Sequence, residues 1–381
     1  MKSRRASRRR SGSVLVLTAV MMVAMFAILA LAVDIGYVTL MRTQAQSTAD
    51  AAALAATWEL LDGRTLTPTA TAEQIQQHAT DSARYYALQN PVGQIPPTLS
   101  GNDIMFGRLD VTTGSDATMT SIDPGNFNAT RVQVRRAADQ NGEVPTFFAR
   151  VVGIDSFASQ AEATAVFLDN FSGFNAPPEG MGNLNVVPFA LDTQTWDALI
   201  AGNGADNWTW NESSGTITPG PDGILEANLF PQATGSPGNR GTVDIGRNNN
   251  STADIARQIV EGISASDLEP LGGKLELGPD GTLELNGDTG ISAGMKDELA
   301  SIAGQPRIIP LFSNVSGPGN NAQYTITGFA GIRILDVKLT GKMSSKRVIV
   351  QPARVQLYGG IPASDDTPTS YFIYSPVWLV R

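Results

Sequence analysis

The sequence contains no cysteine and a single histidine, His78. The absence of cysteine excludes disulfide scaffolding, thiol catalysis and thiolate metal sites. One imidazole leaves little for histidine-based metal binding or acid–base catalysis, so we expect neither a metal nor a cofactor. Charged residues make up only 17% of the 381 residues and hydrophobic residues 42%, which is typical of a chain with a packed core.

Positive and negative charges are unevenly distributed along the chain. The first ten residues contain no acidic residue but six cationic ones, namely Lys2, Arg4, Arg5, Arg8, Arg9 and Arg10. The other 371 residues contain 36 acidic residues against 21 cationic ones. A basic tip on an acidic body excludes a nucleic-acid binder built on a basic domain, so no nucleic acid is expected among the partners.

A long apolar run follows the basic tip. The twenty residues Val14 to Val33 include one weakly polar member, Thr18, and eleven are Leu, Val, Ile or Phe. A helix of this length spans about 30 Å, the thickness of the hydrocarbon core of a bilayer. Each large apolar residue contributes roughly −0.3 to −0.6 kcal/mol near the centre, so insertion is favourable by several kcal/mol. The residues assigned to this membrane anchor are Val14, Leu15, Val16, Leu17, Phe26, Ile28, Leu29, Leu31 and Val33.

The basic block predicts the direction of insertion. Cationic residues next to a span remain in the cytoplasm, and here they all precede the span, while Asp34 follows it. We therefore expect a single-pass protein with a cytoplasmic N-terminus and the bulk of the chain outside the cytoplasm. The residues assigned to this topogenic role are Arg4, Arg5, Arg8, Arg9 and Arg10.

Two kinds of processing compete with a retained anchor. The sequence Ala30-Leu31-Ala32 fits a signal-peptidase site, although the run is longer than the 7–15 apolar residues of a typical signal peptide. Gly12 lies where type IV prepilins are cut, but these usually carry Glu five residues later, and Leu17 occupies that position. Retention is favoured, and cleavage after Ala32 or Gly12 remains open.

The helical pattern continues beyond the membrane. Residues 37–61 contain no proline and many alanines. Ala45, Ala49, Ala52 and Ala56 follow helical spacing and form a stripe of small side chains on one face. Such a stripe allows close helix packing, either against the protein's own sheet or in a homo-oligomer. Packing within the chain is the favoured interpretation.

These features together resemble a known family. A basic block, Gly12, a span ending in Val33-Asp34-Ile35-Gly36 and the alanine-rich segment from Gln44 to Ala56 resemble the TadG-like N-terminal domain of the Flp pilus (tight adherence, Tad) assembly system. The resemblance is specific over residues 11–60 and looser to about residue 168. It implies a bacterial envelope protein that is anchored in the inner membrane, with the bulk of the chain periplasmic or extracellular. The partners it implies are other pilus or secretion proteins. Relatives that end in a von Willebrand factor A domain carry a D-x-S-x-S metal motif, which this sequence lacks.

The expected fold class is α+β. We expect a basic cytoplasmic tail, a transmembrane helix that continues into a long pilin-like helix with a small α+β domain, a linker, and a β-rich domain with two helices. The corresponding ranges are 1–12, 13–34, 35–170, 171–182 and 183–381. In the first domain the sequence predicts a helix over 68–90, alternating strands at 131–135 and 161–167 and a short helix over 144–152.

The β-rich domain contains clearer local signals. Helices are predicted over Thr252–Ser264 and Ala293–Ala303, and strands over 308–312, 323–329, 332–339 and 346–351. Residues 275–277 and 283–285 flank Gly278-Pro279-Asp280-Gly281, which predicts a β-hairpin. Another Pro-Asp-Gly turn, at 221–223, is expected to be a turn rather than a calcium loop.

No catalytic site is expected. Gly290-Ile291-Ser292-Ala293-Gly294 matches the G-x-S-x-G pattern of serine hydrolases, but no histidine follows Ser292. Lys296 is a base for Ser292 only if it is buried, and a helix cap explains the serine equally well. The leading hypothesis is thus a non-catalytic membrane-anchored component of Flp/Tad pilus assembly or secretion. The alternatives are a secreted hydrolase using Ser292 and a carbohydrate-binding module using Trp196, Trp208 or Trp210.

Overall fold

The computed structural model describes residues 12–67, 69–112, 118–120, 123–178, 180, 182–231, 240–246, 251–317, 319–364 and 367–380. It is a mixed α+β structure that begins with one very long helix. The helices, in chain order, are α1 (Gly12–Asp62), α2 (Ala72–Gln89), α3 (Thr193–Ile200), α4 (Thr252–Glu261), α5 (Ala265–Leu268) and α6 (Lys296–Ser301). Short 3-10 helices lie at Gly101–Asp103, Pro124–Asn126, Ala149–Val152, Glu269–Leu271, Ala293–Met295, Gly319–Asn321 and Met343–Ser345.

The strands fall into two groups along the chain. The first group is β1 (Ile104–Leu109), β2 (Met119–Thr120), β3 (Ala129–Arg136), β4 (Val144–Pro145), β5 (Ser156–Phe157), β6 (Ser159–Val166) and β7 (Phe171–Asn175). The second group is β8 (Phe189–Asp192), β9 (Trp208–Asn211), β10 (Thr216–Pro219), β11 (Ala227–Phe230), β12 (Gly241–Val243), β13 (Lys274–Glu276), β14 (Leu283–Asp288), β15 (Pro306–Ser316), β16 (Ala322–Lys338), β17 (Arg347–Pro352), β18 (Val355–Gln356), β19 (Gly360–Pro362), β20 (Ser370–Tyr371), β21 (Ile373–Tyr374) and β22 (Trp378–Val380).

The first sheet supports the long helix. It is antiparallel with the strand order β2-β1-β3-β6-β22, and β3 and β6 pair over their full lengths. Helices α1 and α2 share one apolar core with it, as Ala79, Ala83 and Ala87 of α2 are buried together with Val132 and Ala163 of the sheet. β22 (Trp378–Val380) pairs with β6, so the range 183–381 contributes one strand to the first sheet.

The second sheet is larger and closes on itself. Its order is β11-β17-β16-β14-β12-β8-β15, and β15 also pairs with β16, so five strands form a closed ring. The long strand β16 makes this possible because one edge pairs with β15 while the other pairs with β14 and then β17. Two apolar cores lie on this sheet, one of them beneath α3, α4 and α6.

Several local predictions need correction. The expected hairpin at 275–285 is wrong: β13 pairs with β7, whereas β14 pairs with β12 and β16. The turn itself forms, with the N–H of Gly278 donating to the carbonyl of Thr282 at 2.7 Å. The expected linker begins with β7, whose Phe171 and Phe174 are fully buried in the middle of a three-stranded sheet. Residues 144–152 form a strand and a 3-10 helix instead of one helix.

The helix predictions differ in their bounds. Helix α2 begins at Ala72 because Thr71 and Gln74 form a reciprocal capping box; Pro68, where we expected the start, lies outside the described residues. Helix α4 lies within the predicted range 252–264 and ends at Glu261, with Gly262 as its C-cap, and α6 lies within 293–303. Helices α3 and α5 were not predicted.

Candidate membrane anchor and its junction with the globular region

The first half of α1 stands clear of the rest of the protein. Its most apolar stretch has a mean hydropathy of 2.9 over 18 residues, and none of that stretch is buried. All nine predicted anchor side chains are at least half exposed: Val14, Leu15, Val16, Leu17, Phe26, Ile28, Leu29, Leu31 and Val33. Leaving so much apolar surface in water is costly, at about 25 cal/mol per Å². A helix of this length and composition suits the interior of a bilayer.

The residues predicted to set the topology are not part of this geometry. Arg4, Arg5, Arg8, Arg9 and Arg10 lie outside the described residues. The orientation of the anchor therefore rests on the sequence.

The second half of α1 is embedded in the globular region. Met41 is the first apolar residue of α1 that is buried, and the predicted packing residues Ala45, Ala49, Ala52 and Ala56 all have no exposed surface. They lie in one apolar core with α2, β3 and β6. Because these methyl groups are covered by the chain's own helix and sheet, the stripe is not a surface that a second copy could reach.

Polar side chains fasten α1 along the same face. The Thr57 hydroxyl donates to the carbonyl of Ala165 at 3.3 Å, and the Gln46 amide donates to the carbonyl of Glu162 at 3.0 Å, both on β6. The Thr48 hydroxyl donates to the carbonyl of Asn90 at 2.7 Å, at the end of α2. These bonds and the alanine contacts make the second half of α1 part of the core of the first sheet.

Asp34 marks the junction between the two halves of α1. Its side chain is only 7% exposed although its neighbours Val33 and Ile35 are exposed. The carboxylate accepts hydrogen bonds from the backbone N–H groups of Phe147 at 2.9 Å, Phe148 at 3.0 Å and Ala149 at 2.6 Å. It thereby caps the 3-10 helix Ala149–Val152. In the sequence, Asp34 marks only the end of the apolar run, because its hydrogen-bond partners lie more than 110 residues away along the chain.

The serine motif does not have catalytic geometry. The Ser292 hydroxyl accepts a hydrogen bond from the N–H of Gly294 at 3.2 Å, which makes it the N-cap of the 3-10 helix Ala293–Met295. Lys296 is 43% exposed and lies 3.5 Å from the carboxylate of Asp297, so it is not a buried base. His78 lies on α2, an exposed position in the first sheet's part of the molecule, whereas Ser292 adjoins the core of the second sheet.

We expect Ser292→Ala to cost about 1 kcal/mol of stability or less, because only an exposed cap is lost. Ser292→Asp should restore the stability, since aspartate caps equally well. Thermal unfolding and hydrolysis of a p-nitrophenyl ester, measured on the same samples, check both variants. An esterase activity that disappears in both variants while the melting temperature is unchanged would contradict the capping role.

The tryptophans suggested for sugar binding have different environments. Trp196 on α3 is fully buried in the core of the second sheet. Trp210 on β9 is half-buried, with the Arg333 guanidinium 4.4 Å from its ring centroid. Trp208, also on β9, is half-buried as well. The three rings therefore do not form one aromatic surface.

The acidic loop beside these tryptophans is held by its own backbone. The two carboxylate oxygens of Asp206 accept from the N–H groups of Asp222 and Gly223 at 2.9 and 3.0 Å. Burial raises the pKa of Glu226 above its usual 4.5, and the charges of Asp206 and Asp222 raise it further, although hydrogen bonds from Asn207 and Trp208 oppose the shift. Nowhere in the described ranges do three or more His, Asp or Glu side chains form a group that could hold a metal.

Two known families match the first part of the chain. Residues 12–59 match the Flp pilus-assembly TadE/G-like family, and residues 40–165 match the Tad-like Flp pilus-assembly family. The overlapping matches cover α1, α2 and the first sheet up to β6. No curated protein and no solved structure shows significant similarity to the chain. The matches confirm the resemblance found in the sequence: residues 12–59 are similar to the TadE/G-like family and residues 40–165 to the Tad-like family of Flp pilus assembly, which supports a Tad-system protein.

Proposed function

We propose that the protein is a non-catalytic, single-span component of Flp/Tad pilus assembly in the bacterial inner membrane. The anchor is Val14–Val33, the basic tail remains in the cytoplasm, and the residues after Asp34 lie on the periplasmic side. The observation that carries this proposal is the abrupt change along α1, from an apolar half with every large side chain exposed to a second half whose alanine face is buried. A bilayer around the first half would cover these exposed apolar side chains.

The partners proposed for the globular region are other pilus-assembly or secretion proteins. Similarity to the Tad families supports this. The contacts would have to use surfaces other than the alanine stripe, because that stripe is covered within the chain. Support for a non-catalytic role comes from Ser292, whose hydroxyl is a helix cap without a buried base beside it.

Cysteine labelling tests the topology, since the natural chain has no cysteine. Ser213→Cys lies in the exposed turn between β9 and β10, and Ser3→Cys lies in the basic tail. We expect a membrane-impermeant maleimide to label Ser213→Cys in intact spheroplasts and to label Ser3→Cys only after the membrane is permeabilised. The reverse pattern would overturn the topology.

Mass spectrometry of the same protein tests retention of the anchor. We expect a mature chain that still contains residues 14–33. A mature N-terminus at Val33 would show that the run is a cleaved signal peptide and would end the proposal of an anchored protein.

Co-purification of other Tad proteins with the full-length chain tests the partners, and recovery of none of them would count against a role in assembly.

A further inference from the structure

The globular region exposes one compact apolar loop, which we call the apolar tip: Phe147, Phe148, Val151, Val152 and Ile154. Val151 and Val152 are 85% and 77% exposed, more than any of the membrane-anchor side chains reaches on α1. The other three members are about half exposed. Soluble surfaces rarely present such residues together, and when they do the patch usually contacts a partner or a membrane.

The position of the apolar tip is fixed by α1. The Asp34 carboxylate accepts hydrogen bonds from Phe147, Phe148 and Ala149, and the Phe147 ring meets the Tyr37 ring edge-on at a centroid distance of 4.8 Å. Asp34 directly follows Val33, the last residue of the apolar run. The tip is therefore held at the level of the helix where the run ends, and its apolar surface continues that of the anchor.

Six backbone N–H groups of the tip and its base donate hydrogen bonds within the protein, as a non-aqueous environment requires. The N–H groups of residues 147–149 are taken by Asp34. The N–H of Val151 donates to the carbonyl of Phe148 at 3.0 Å, and that of Ile154 to the carbonyl of Ala149 at 3.1 Å. The Gly153 N–H donates to the carbonyl of Arg150, also at 3.1 Å. A loop near hydrocarbon must satisfy its polar backbone groups internally, and these six N–H groups are satisfied within the protein.

The side chains also match the membrane interface. Two phenylalanines and three branched aliphatic residues surround one cation, the exposed Arg150, whose guanidinium binds the carbonyl of Thr146 at the base of the loop. Apolar residues that enter the acyl boundary beside a cation that stays with the anionic headgroups are typical of interfacial anchors.

We propose that the apolar tip enters the bilayer beside α1, at the boundary between headgroups and acyl chains on the periplasmic side. The occupant of this apolar surface is lipid, and the inference rests on the proposed function because it needs the first half of α1 to span the membrane. One span alone leaves the globular region free to tilt. A second contact held by Asp34 fixes the orientation in which the region meets other assembly proteins.

Depth-dependent quenching of a fluorophore tests this in the full-length protein. Single cysteines at Val151, Phe26 and Tyr358 carry an environment-sensitive NBD label, and the protein is reconstituted alone into phosphatidylethanolamine and phosphatidylglycerol vesicles. Tyr358 is the matched control because it is a large apolar side chain, 79% exposed, in the loop between β18 and β19. Nitroxide lipids with the quencher placed shallow or deep in the acyl chain report the depth of each label.

We expect the label at Val151→Cys to be blue-shifted and quenched more strongly by shallow than by deep nitroxides. The label at Phe26→Cys should respond most to deep nitroxides, and the label at Tyr358→Cys should respond to neither. Adding Val152→Asp should remove the quenching at position 151 without changing that at position 26.

The two failures can be told apart. A label at 151 with an aqueous spectrum and no quenching, beside a deep label at 26, would overturn the tip insertion and leave the anchor intact. Aqueous spectra at both positions would overturn the proposed function itself. A label at 151 that is aqueous in vesicles but protected in cells would show that a protein covers the tip, which also overturns the lipid assignment.

Discussion

The double substitution Val23→Arg and Phe26→Arg is expected to release the protein from the membrane. Both side chains lie near the middle of the apolar run, where each arginine costs about 2.5–3.5 kcal/mol. The lost apolar side chains add roughly 0.3–0.6 kcal/mol each, so the total is about 6–8 kcal/mol, or more than about four orders of magnitude in the insertion equilibrium. The measurement is the fraction of protein that resists extraction from membranes by alkaline carbonate.

The effect should be confined to the anchor. Val23 and Phe26 are 70% and 60% exposed and contact no part of the globular region's core, so that region should remain folded. Thr43→Arg and Ser47→Arg form the matched control, because they add two arginines to exposed positions of the same helix beyond the run. If the Val23 and Phe26 variant resists carbonate as well as this control, the run does not hold the protein in a membrane.

The long apolar helix and the alanine face could be predicted because both follow from residue spacing along one helix. The twenty-residue run determines the length of the apolar helical segment. The alanines at 45, 49, 52 and 56 lie on one face of the helix, and neither feature depends on the rest of the chain. The sequence also limits what can cover this face, because only a closely packed helix or sheet fits against a stripe of alanines. Here the covering elements are α2, β3 and β6.

The parts that could not be predicted depend on contacts between distant residues. The turn at 278–281 forms as its sequence indicates, yet the strands on either side pair with β7 and β16, because each neighbouring sheet offers an edge that buries Leu275 or Leu285. Asp34 and residues 147–149 come together only because β3 and β6 set the loop beside α1. Local sequence patterns do not indicate contacts between distant residues. The sequence therefore predicts a short helix over 144–152 and gives no sign that part of this segment is an exposed apolar surface.

Removal of the carboxylate of Asp192 is expected to destabilise the second sheet strongly. Its Oδ2 lies 2.7 Å from Nε of Arg240, which is only 6% exposed, and its Oδ1 accepts the N–H of Thr195 at 2.8 Å to cap α3. Asp192→Ala leaves a buried guanidinium without its counter-charge, which costs about 3–5 kcal/mol. The melting temperature in detergent should fall by on the order of 10 °C, as measured by circular dichroism.

An exposed ion pair provides the matched control. Asp297 is 92% exposed and lies 3.5 Å from Lys296, so Asp297→Ala should change the stability by less than about 1 kcal/mol. The double variant Asp192→Leu and Arg240→Met removes both buried charges and should recover much of the loss. Equal effects of Asp192→Ala and Asp297→Ala would show that the buried pair contributes no more than a surface pair.

The pH dependence of this stability has a definite sign. Burial by itself raises the pKa of Asp192, but the Arg240 charge and the hydrogen bonds from Thr195 and Arg240 outweigh it, so the pKa in the folded protein lies below its usual 3.8. A carboxyl with a depressed folded pKa stabilises fully above its unfolded pKa and loses that contribution as the pH falls through the folded value. The stability difference between the natural protein and Asp192→Ala should therefore be constant near neutral pH and shrink below about pH 4. A difference that stays constant down to pH 2 would show that the ionised carboxylate is not what holds Arg240.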